Sequence, residues 1–272
     1  MDGSPLDSLQ AARQALAWSG LIFFMILEQW RPFAPRGEPA WRHYLRNVVL
    51  AGINVAGLAL VWRGLLLSAA AWADRSGWGV LNWLGLGWAW RVAVTVLAYD
   101  ALSWGMHVLY HEVPVLWRLH QVHHTDLDFD VTTASRFHFG EILLSTAVQT
   151  LAALALGAPP EGIVLFQMLL LVQAQAQHSN LALPARLDGI VTRLLVTPNM
   201  HRIHHSTVVQ ECNSNYATIL SVWDRLGGTY RWRPQAGIAI GLAQYPRRDE
   251  LGWASLLAIP FRRLRTAPPA GS

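Results

Sequence analysis

Five apolar runs, at about residues 14–30, 45–69, 90–110, 142–157 and 162–177, alternate with polar stretches along this chain. The first lacks a basic leader, carries Asp2 and Asp7 instead, and is overlong for a secretory signal, so it predicts a membrane helix. The second holds Arg63, which marks its outer end. The third runs into the histidines at His107 and His111. The fourth and fifth are short. At ~1.5 Å per residue their 16 residues cover ~24 Å, less than a ~30 Å hydrocarbon core. Ala158-Pro159-Pro160-Glu161 between them is a turn signal, so they predict a hairpin that dips into or barely crosses the bilayer. The stretch from Leu66 to Leu86, rich in Trp and Gly, reads as interfacial. Residues 251–265 mix Leu, Trp, Ile and Phe with Arg262, Arg263 and Arg265, and fit either the membrane surface or a packed helix. The tail at 267–272 reads as disordered. The expected fold is all-α, an integral membrane helical bundle with a cytoplasmic histidine-rich helical cap. Residues 1–89 form membrane helices and an interfacial segment, 90–232 a histidine-rich catalytic domain, and 233–272 a C-terminal cytoplasmic segment.

Composition supports the membrane reading. Only 14% of residues are charged and 53% are hydrophobic, against about 25% charged in soluble domains. The 14 tryptophans suit a membrane interface. All 21 basic residues are arginine, the net charge is only +4, and no aromatic-interleaved basic patch appears. Nucleic acid is therefore a poor partner, and loop arginines facing anionic lipid explain the basic balance better. Cys212 is the only cysteine, which excludes intramolecular disulfides, iron–sulfur ligation and Cys-rich zinc sites. Arg31, Arg36, Arg42 and Arg46 follow the first run, 11 arginines lie from Asn180 onward, and none flanks Pro159. The positive-inside rule then places both arginine-rich regions in the cytoplasm, and five crossings put the N-terminus outside.

Ten of the 11 histidines fall between 107 and 205. They read His107-x3-His111, His120-x2-His123-His124 and His201-x2-His204-His205, with His138 and His178 between. Residues three or four apart share a helix face, so each cluster can aim imidazoles together. Neighbouring residues diverge by roughly 100°, so His123 and His124 need not serve the same ion. Either can join His120 while the other reaches a second metal. Ten imidazoles exceed the three protein ligands of a catalytic zinc and suit two ions. His43 lies outside the block and reads as surface or interfacial. Three other readings compete. A zinc membrane hydrolase is one, but His111-Glu112 is followed by Val115 where His-Glu-x-x-His needs histidine. A heme carrier would leave most histidines unexplained. A metal transporter should spread them through the membrane, whereas these collect at one face.

Further motifs join the clusters. They are Pro114-Val-Leu-Trp117-Arg118-Leu-His120, Thr133-Ala-Ser-Arg136-Phe-His138-Phe-Gly-Glu141, Gln177-His178-Ser-Asn180 and Pro198-Asn-Met-His201. Asn215-Tyr216 and Leu220-Ser-Val-Trp223-Asp224-Arg225-Leu-Gly-Gly-Thr-Tyr230 complete the set. Over roughly residues 90–232 the chain resembles the fatty acid hydroxylase/sterol desaturase superfamily of membrane histidine-box oxygenases. Phe139 departs from the proline that many relatives carry there, and removes no ligand. The resemblance implies two iron ions, O2 as co-substrate, and hydroxylation or desaturation of a fatty acyl, sterol or related lipid. No heme motif or Gly-x-Gly-x-x-Gly fingerprint is evident, so the reaction needs a separate reductase or other electron donor. It also raises Glu141 and Asp224 above the other candidate supporting groups.

Asp100 shares a helix stripe with Ser103, Trp104, His107 and His111. Two turns from His107, it is a candidate to orient that ring through an intermediate group, or to pair with an arginine of another helix. Glu112, Asp126, Asp128 and Asp130 are further candidates, each equally readable as a cap or ion pair. Gln173 and Gln177 share a face, and Asn180, Asn199 and Tyr216 are candidate outer groups.

Overall fold

The computed structural model describes residues 5–62 and 64–265. Arg63 and the expected disordered tail at 267–272 lie outside the described residues. Helices α1 (Pro5–Trp30), α2 (Ala40–Trp62) and α3 (Leu65–Ser76) lead through the short α4 (Val80–Trp83) into α5 (Trp88–Glu112). Then come α6 (Pro114–His124), a 3-10 turn at Val131–Ser135, α7 (Phe139–Leu156) and α8 (Pro160–His178). The short α9 (Ala185–Val191), α10 (Pro198–His204), α11 (Val209–Cys212), α12 (Val222–Leu226) and α13 (Trp253–Ala258) follow. Among the described residues there are isolated bridges but no strand. The fold is all-α.

Helices α2, α5 and α7 are long and apolar enough to cross a membrane. Val55, Leu60, Leu97 and Leu151 on them face outward, a surface that suits acyl chains rather than water. The hairpin helices α7 and α8 run to 18 and 19 residues, longer than their apolar runs, because Phe139, Gly140 and Glu141 open α7 while Pro160, Glu161 and His178 extend α8. The interfacial stretch is helical too. It buries Leu66, Ala70 and Ala73 inward and leaves Trp72, Trp78 and Trp83 exposed.

The centre of the bundle is a contact of α5, α7 and α8. Tyr99 of α5 meets Phe166 of α8 edge-on at 5.3 Å and donates its hydroxyl to Gln149 O of α7 at 2.7 Å. At the far end, Gly157 ends α7 with φ 68° and lies against Gly79, φ 98°. A Cβ on Gly79 would stand 2.2 Å from Gly157 N, so only glycine lets these backbones meet. This closure fixes α7 and α8 so that their other ends converge with the end of α5. There, Val113 is extended before Pro114, as a residue preceding proline prefers, and α6 folds back against α5. The C-terminal segment packs against α2 and α6: Leu251, Leu256 and Ile259 are buried with Leu50 and Val122. Of the 251–265 segment, residues through Pro260 thus pack on the bundle, while Trp253 and residues 261–265 are exposed.

Candidate metal centre

The turn at Val113-Pro114 brings His107 and His111 of α5 against His120 and His124 of α6. Helix α10 supplies the remaining partner of this group. Its N-cap Thr197 accepts from Met200 N at 3.1 Å, and Pro198 opens the first turn. His107, His111, His120, His124 and His204 form one group, and His123, His178, His201 and His205 a second, with ligand atoms in each within 4.8 Å of one another. The neighbours His123/His124 and His204/His205 split between the groups, as a 100° step requires. Sequence spacing leaves open which of His123 and His124 accompanies His120; the structure selects His124.

The ring tautomers, assigned from their partners, show that these groups fit cations. His107 Nδ1 donates to Tyr216 O at 2.7 Å, His178 Nδ1 to Ala174 O at 2.8 Å and His204 Nδ1 to Ser214 O at 2.7 Å. His123 Nδ1 faces Arg136 O at 3.3 Å, and His120 Nδ1 faces Glu141 Oε1 at 2.8 Å. A carbonyl only accepts, so each neutral ring carries its proton on Nδ1 and a bare lone pair on Nε2. Yet Nε2 atoms face each other at 3.1 Å in His107–His120 and in His123–His178. Two lone pairs at that distance repel unless a cation lies between them. The spacing matches imidazoles sharing one ion at ~2.0–2.1 Å bonds. His111 Nε2 and His204 Nε2 are buried without a hydrogen-bond partner, as metal-directed atoms would be, and His205, with neither ring nitrogen hydrogen-bonded, has one lone pair to give an ion.

Burial, reinforced by neighbouring imidazoles, holds His123, His124, His201, His204 and His205 well below the ordinary histidine pKa. The rings are thus neutral donors, the form that coordinates metal. Two carboxylates brace them. Glu141 holds His120 directly. Asp224 accepts from Tyr216 N at 2.8 Å, Ala217 N at 2.9 Å, Thr229 Oγ1 at 2.7 Å and Trp104 Nε1 at 3.2 Å. It thereby fixes the Tyr216 carbonyl that receives His107.

The remaining sequence-derived candidates fall elsewhere. His138, expected as a tenth ligand, lies in neither group. It is the N-cap of α7, and its Nδ1 accepts from Gly140 N at 3.0 Å. Among the described residues, Asp100 pairs with no arginine. Its Oδ2 accepts from Trp223 Nε1 at 2.7 Å and Leu220 N at 3.1 Å, tying α5 to the loop around α12. Gln173 donates to Val196 O, Gln177 lines the cavity described below, and Glu112 is exposed. Asn180 bonds Ala34, and Asn199 accepts from Arg202 at 2.9 Å. Asp128 binds Arg248 at 2.9 Å, while Asp130 caps the 3-10 turn. His43, expected at the surface, is fully buried instead. It bridges Asp126 and Asp130 at 2.7 Å each, and among the described residues no other cation is as close to either carboxylate. Backbone carbonyls of Arg136, Ser214 and Tyr216 went unanticipated, since an acceptor on the main chain leaves no mark in side-chain identity.

A cavity of about 730 Å³ opens beside both groups. His107, His120, His123, His178 and His201 form its head, and apolar side chains such as Met106, Phe137, Ile142 and Leu170 line its length.

The structure thus defines an all-helical, membrane-type chain with two metal-competent histidine groups heading an apolar cavity. The chain belongs to the fatty acid hydroxylase family, whose model, described as "Fatty acid hydroxylase", matches residues 92–229. It is 33% identical over 161 residues to the ornithine lipid hydroxylase OlsE of Rhizobium tropici, covering 58% of this chain and 46% of that one. It is 29% identical over 186 residues to the alkylglycerol monooxygenase of Xenopus tropicalis, covering 68% of this chain and 37% of that one. It is 28% identical over 146 residues to the cholesterol 25-hydroxylase of Mus musculus, covering 53% and 48%. The matched stretch spans less than half the length of each of these relatives. No solved structure matches the chain.

Proposed function

We propose that the chain is a membrane-bound, O2-dependent di-iron hydroxylase or desaturase acting on C–H bonds of a lipid. The observation that carries this reading is the placement of two histidine groups at the head of a cavity of about 730 Å³ with largely apolar walls. His107, His111, His120, His124 and His204 would hold one ion, and His123, His178, His201 and His205 the other. Bound iron would supply the redox chemistry with O2 that an unactivated C–H bond demands and that redox-inert zinc lacks. Nine imidazoles also exceed what a zinc hydrolase uses.

The chain's own residues do the rest. Glu141 fixes the His120 tautomer, and Asp224 fixes His107 through Tyr216; both are positioning residues. Phe137 stacks on His123 at 4.5 Å and excludes water from that side of the second group. The apolar walls accept an alkyl chain and orient it toward the histidines. Electrons come from a separate reductase. In a multi-pass topology with five crossings, the arginine bias puts the histidine end on the cytoplasmic face of a bacterial inner membrane or of the endoplasmic reticulum.

The test supplies iron-loaded protein with O2, a reductase and candidate lipids, and follows 18O2 by mass spectrometry. Label in the lipid means hydroxylation; a new double bond with labelled water means desaturation. Turnover without O2, with cleavage of a soluble peptide, would overturn the reading.

A further inference from the structure

Arg13 is the single arginine among the residues lining the cavity. Its guanidinium donates to Gln167 of α8, and it enters none of the ion pairs formed among the described residues. A cation between lipid-facing helices with no counter-ion is costly and is expected to serve a ligand. The register of α1 on α8 shows where it sits. Glu28 of α1 accepts from Asn180 N at 2.8 Å, just past the end of α8. Gln175 donates to Ala17 O at 2.9 Å, and Arg13 meets Gln167 further back. The helices therefore run in the same direction, and Arg13 lies at the end of the cavity away from the histidines. Gln167 precedes His178 by eleven positions, or ~16 Å along α8. Trp18 of α1 and Val55 of α2 also line the cavity, nearer its histidine end: Ala17 receives Gln175, and Asn54 donates to Phe137 O at 2.8 Å.

Resting on the lipid reading above, we propose that Arg13, with Gln167, binds the anionic head of a single-chain lipid. The head is a carboxylate or a phosphate, either of which matches the guanidinium fork. The chain then lies along the cavity with its far part at the histidines. Arg13 thus measures the position of oxidation, roughly a dozen carbons from the head, by the helix rise and a ~1.5 Å C–C bond.

The test measures equilibrium binding of palmitate, hexadecyl phosphate and hexadecanol to the full chain in neutral maltoside micelles. Wild type should bind at least one anion tenfold or more tighter than the alcohol, and which anion wins identifies the head. Arg13→Met should bring that anion to the alcohol's affinity while leaving the alcohol unchanged, which shows the cavity intact. Arg13→Lys should keep part of the preference, and decides the matter if the methionine variant misfolds. With turnover, wild type should oxidise one narrow range of carbons and Arg13→Met a broad one. Equal affinity for anions and alcohol in wild type, or a preference that survives Arg13→Met, would overturn the role of Arg13 and leave the lipid reading standing. Failure of all three chains to bind or to be oxidised would remove both.

Discussion

Glu141 Oε1 receives His120 Nδ1 at 2.8 Å, while Oε2 of the same carboxylate is buried with no hydrogen-bond partner. One oxygen thus sets a histidine tautomer and leaves the ring's other nitrogen as the lone pair that faces the metal. Glu141→Gln keeps an acceptor for Nδ1 but removes the charge. It should weaken metal retention or activity about 10–100-fold, read by iron content after dialysis against a chelator. Glu141→Ala should do more, because the Nδ1 proton loses its partner. Unchanged metal retention in both variants would show that His120 needs no brace.

Metal stoichiometry separates the nine grouped histidines from His138. Iron-supplied protein should carry about two ions, from the two donor sets and the ligand count of each. His124→Ala and His205→Ala should each lose metal, since each removes a donor from a different group. His138→Ala should keep both ions and lose only the α7 cap, about 1 kcal/mol. Elemental analysis of the three variants is decisive, and equal metal loss in His138→Ala would return that residue to the ligand set. Zinc acquired during overexpression counts as occupancy, because imidazole sites bind it tightly.

Asp224 is a hub rather than a surface charge. Its four donors include two backbone N–H groups, and burial raises its pKa against those same hydrogen bonds. Asp224→Ala leaves buried donors unpaired and should cost about 3 kcal/mol or more. A lowered melting temperature of the metal-free protein would report it. Asp100→Asn should cost less, since an amide oxygen can still accept from Trp223.

Helical spacing made the histidine groups legible before any coordinates. An i, i+4 pair such as His107 and His111 must share a face, and so must His120 and His124. His138 fell outside that logic. It sits in extended backbone before α7, where its ring turns to the helix's own first N–H groups. His43 was misread because its partners lie 87 and 83 residues away, a distance over which no local pattern carries information. The helical hairpin was visible from its turn. Its length was underestimated because helix-compatible polar residues, Glu141 on α7 and Glu161 and His178 on α8, continue the helices beyond the apolar runs.

Orientation follows from charge placement and can be checked separately. Reporter fusions should find the C-terminus in the cytoplasm, as the 11 arginines from Asn180 onward predict, and, with the proposed five crossings, the N-terminus outside. A C-terminal reporter on the outer side would move the histidine end to the opposite face without altering its chemistry.

Acid should dismantle the site from within. His123, His124, His201, His204 and His205 are held well below the ordinary histidine value, first by burial and then by each other. In the unfolded chain they titrate near ~6.5. Below that pH the unfolded state binds protons that the folded state refuses, so stability falls as pH falls. Each ring contributes up to ~1.4 kcal/mol per pH unit in that window and nothing above it. Asp126 adds a second fall at lower pH. The nearby cationic His43 and Arg136 outweigh its burial and depress its pKa, so its stabilisation holds above ~3.9 and is lost below. The melting temperature of the metal-free protein should therefore drop steeply from about pH 6.5 to 5. Bound metal should leave over the same range, since a protonated imidazole has no lone pair to give. A melting temperature that stays level down to about pH 5 would mean that these rings reach solvent or already carry protons in the fold.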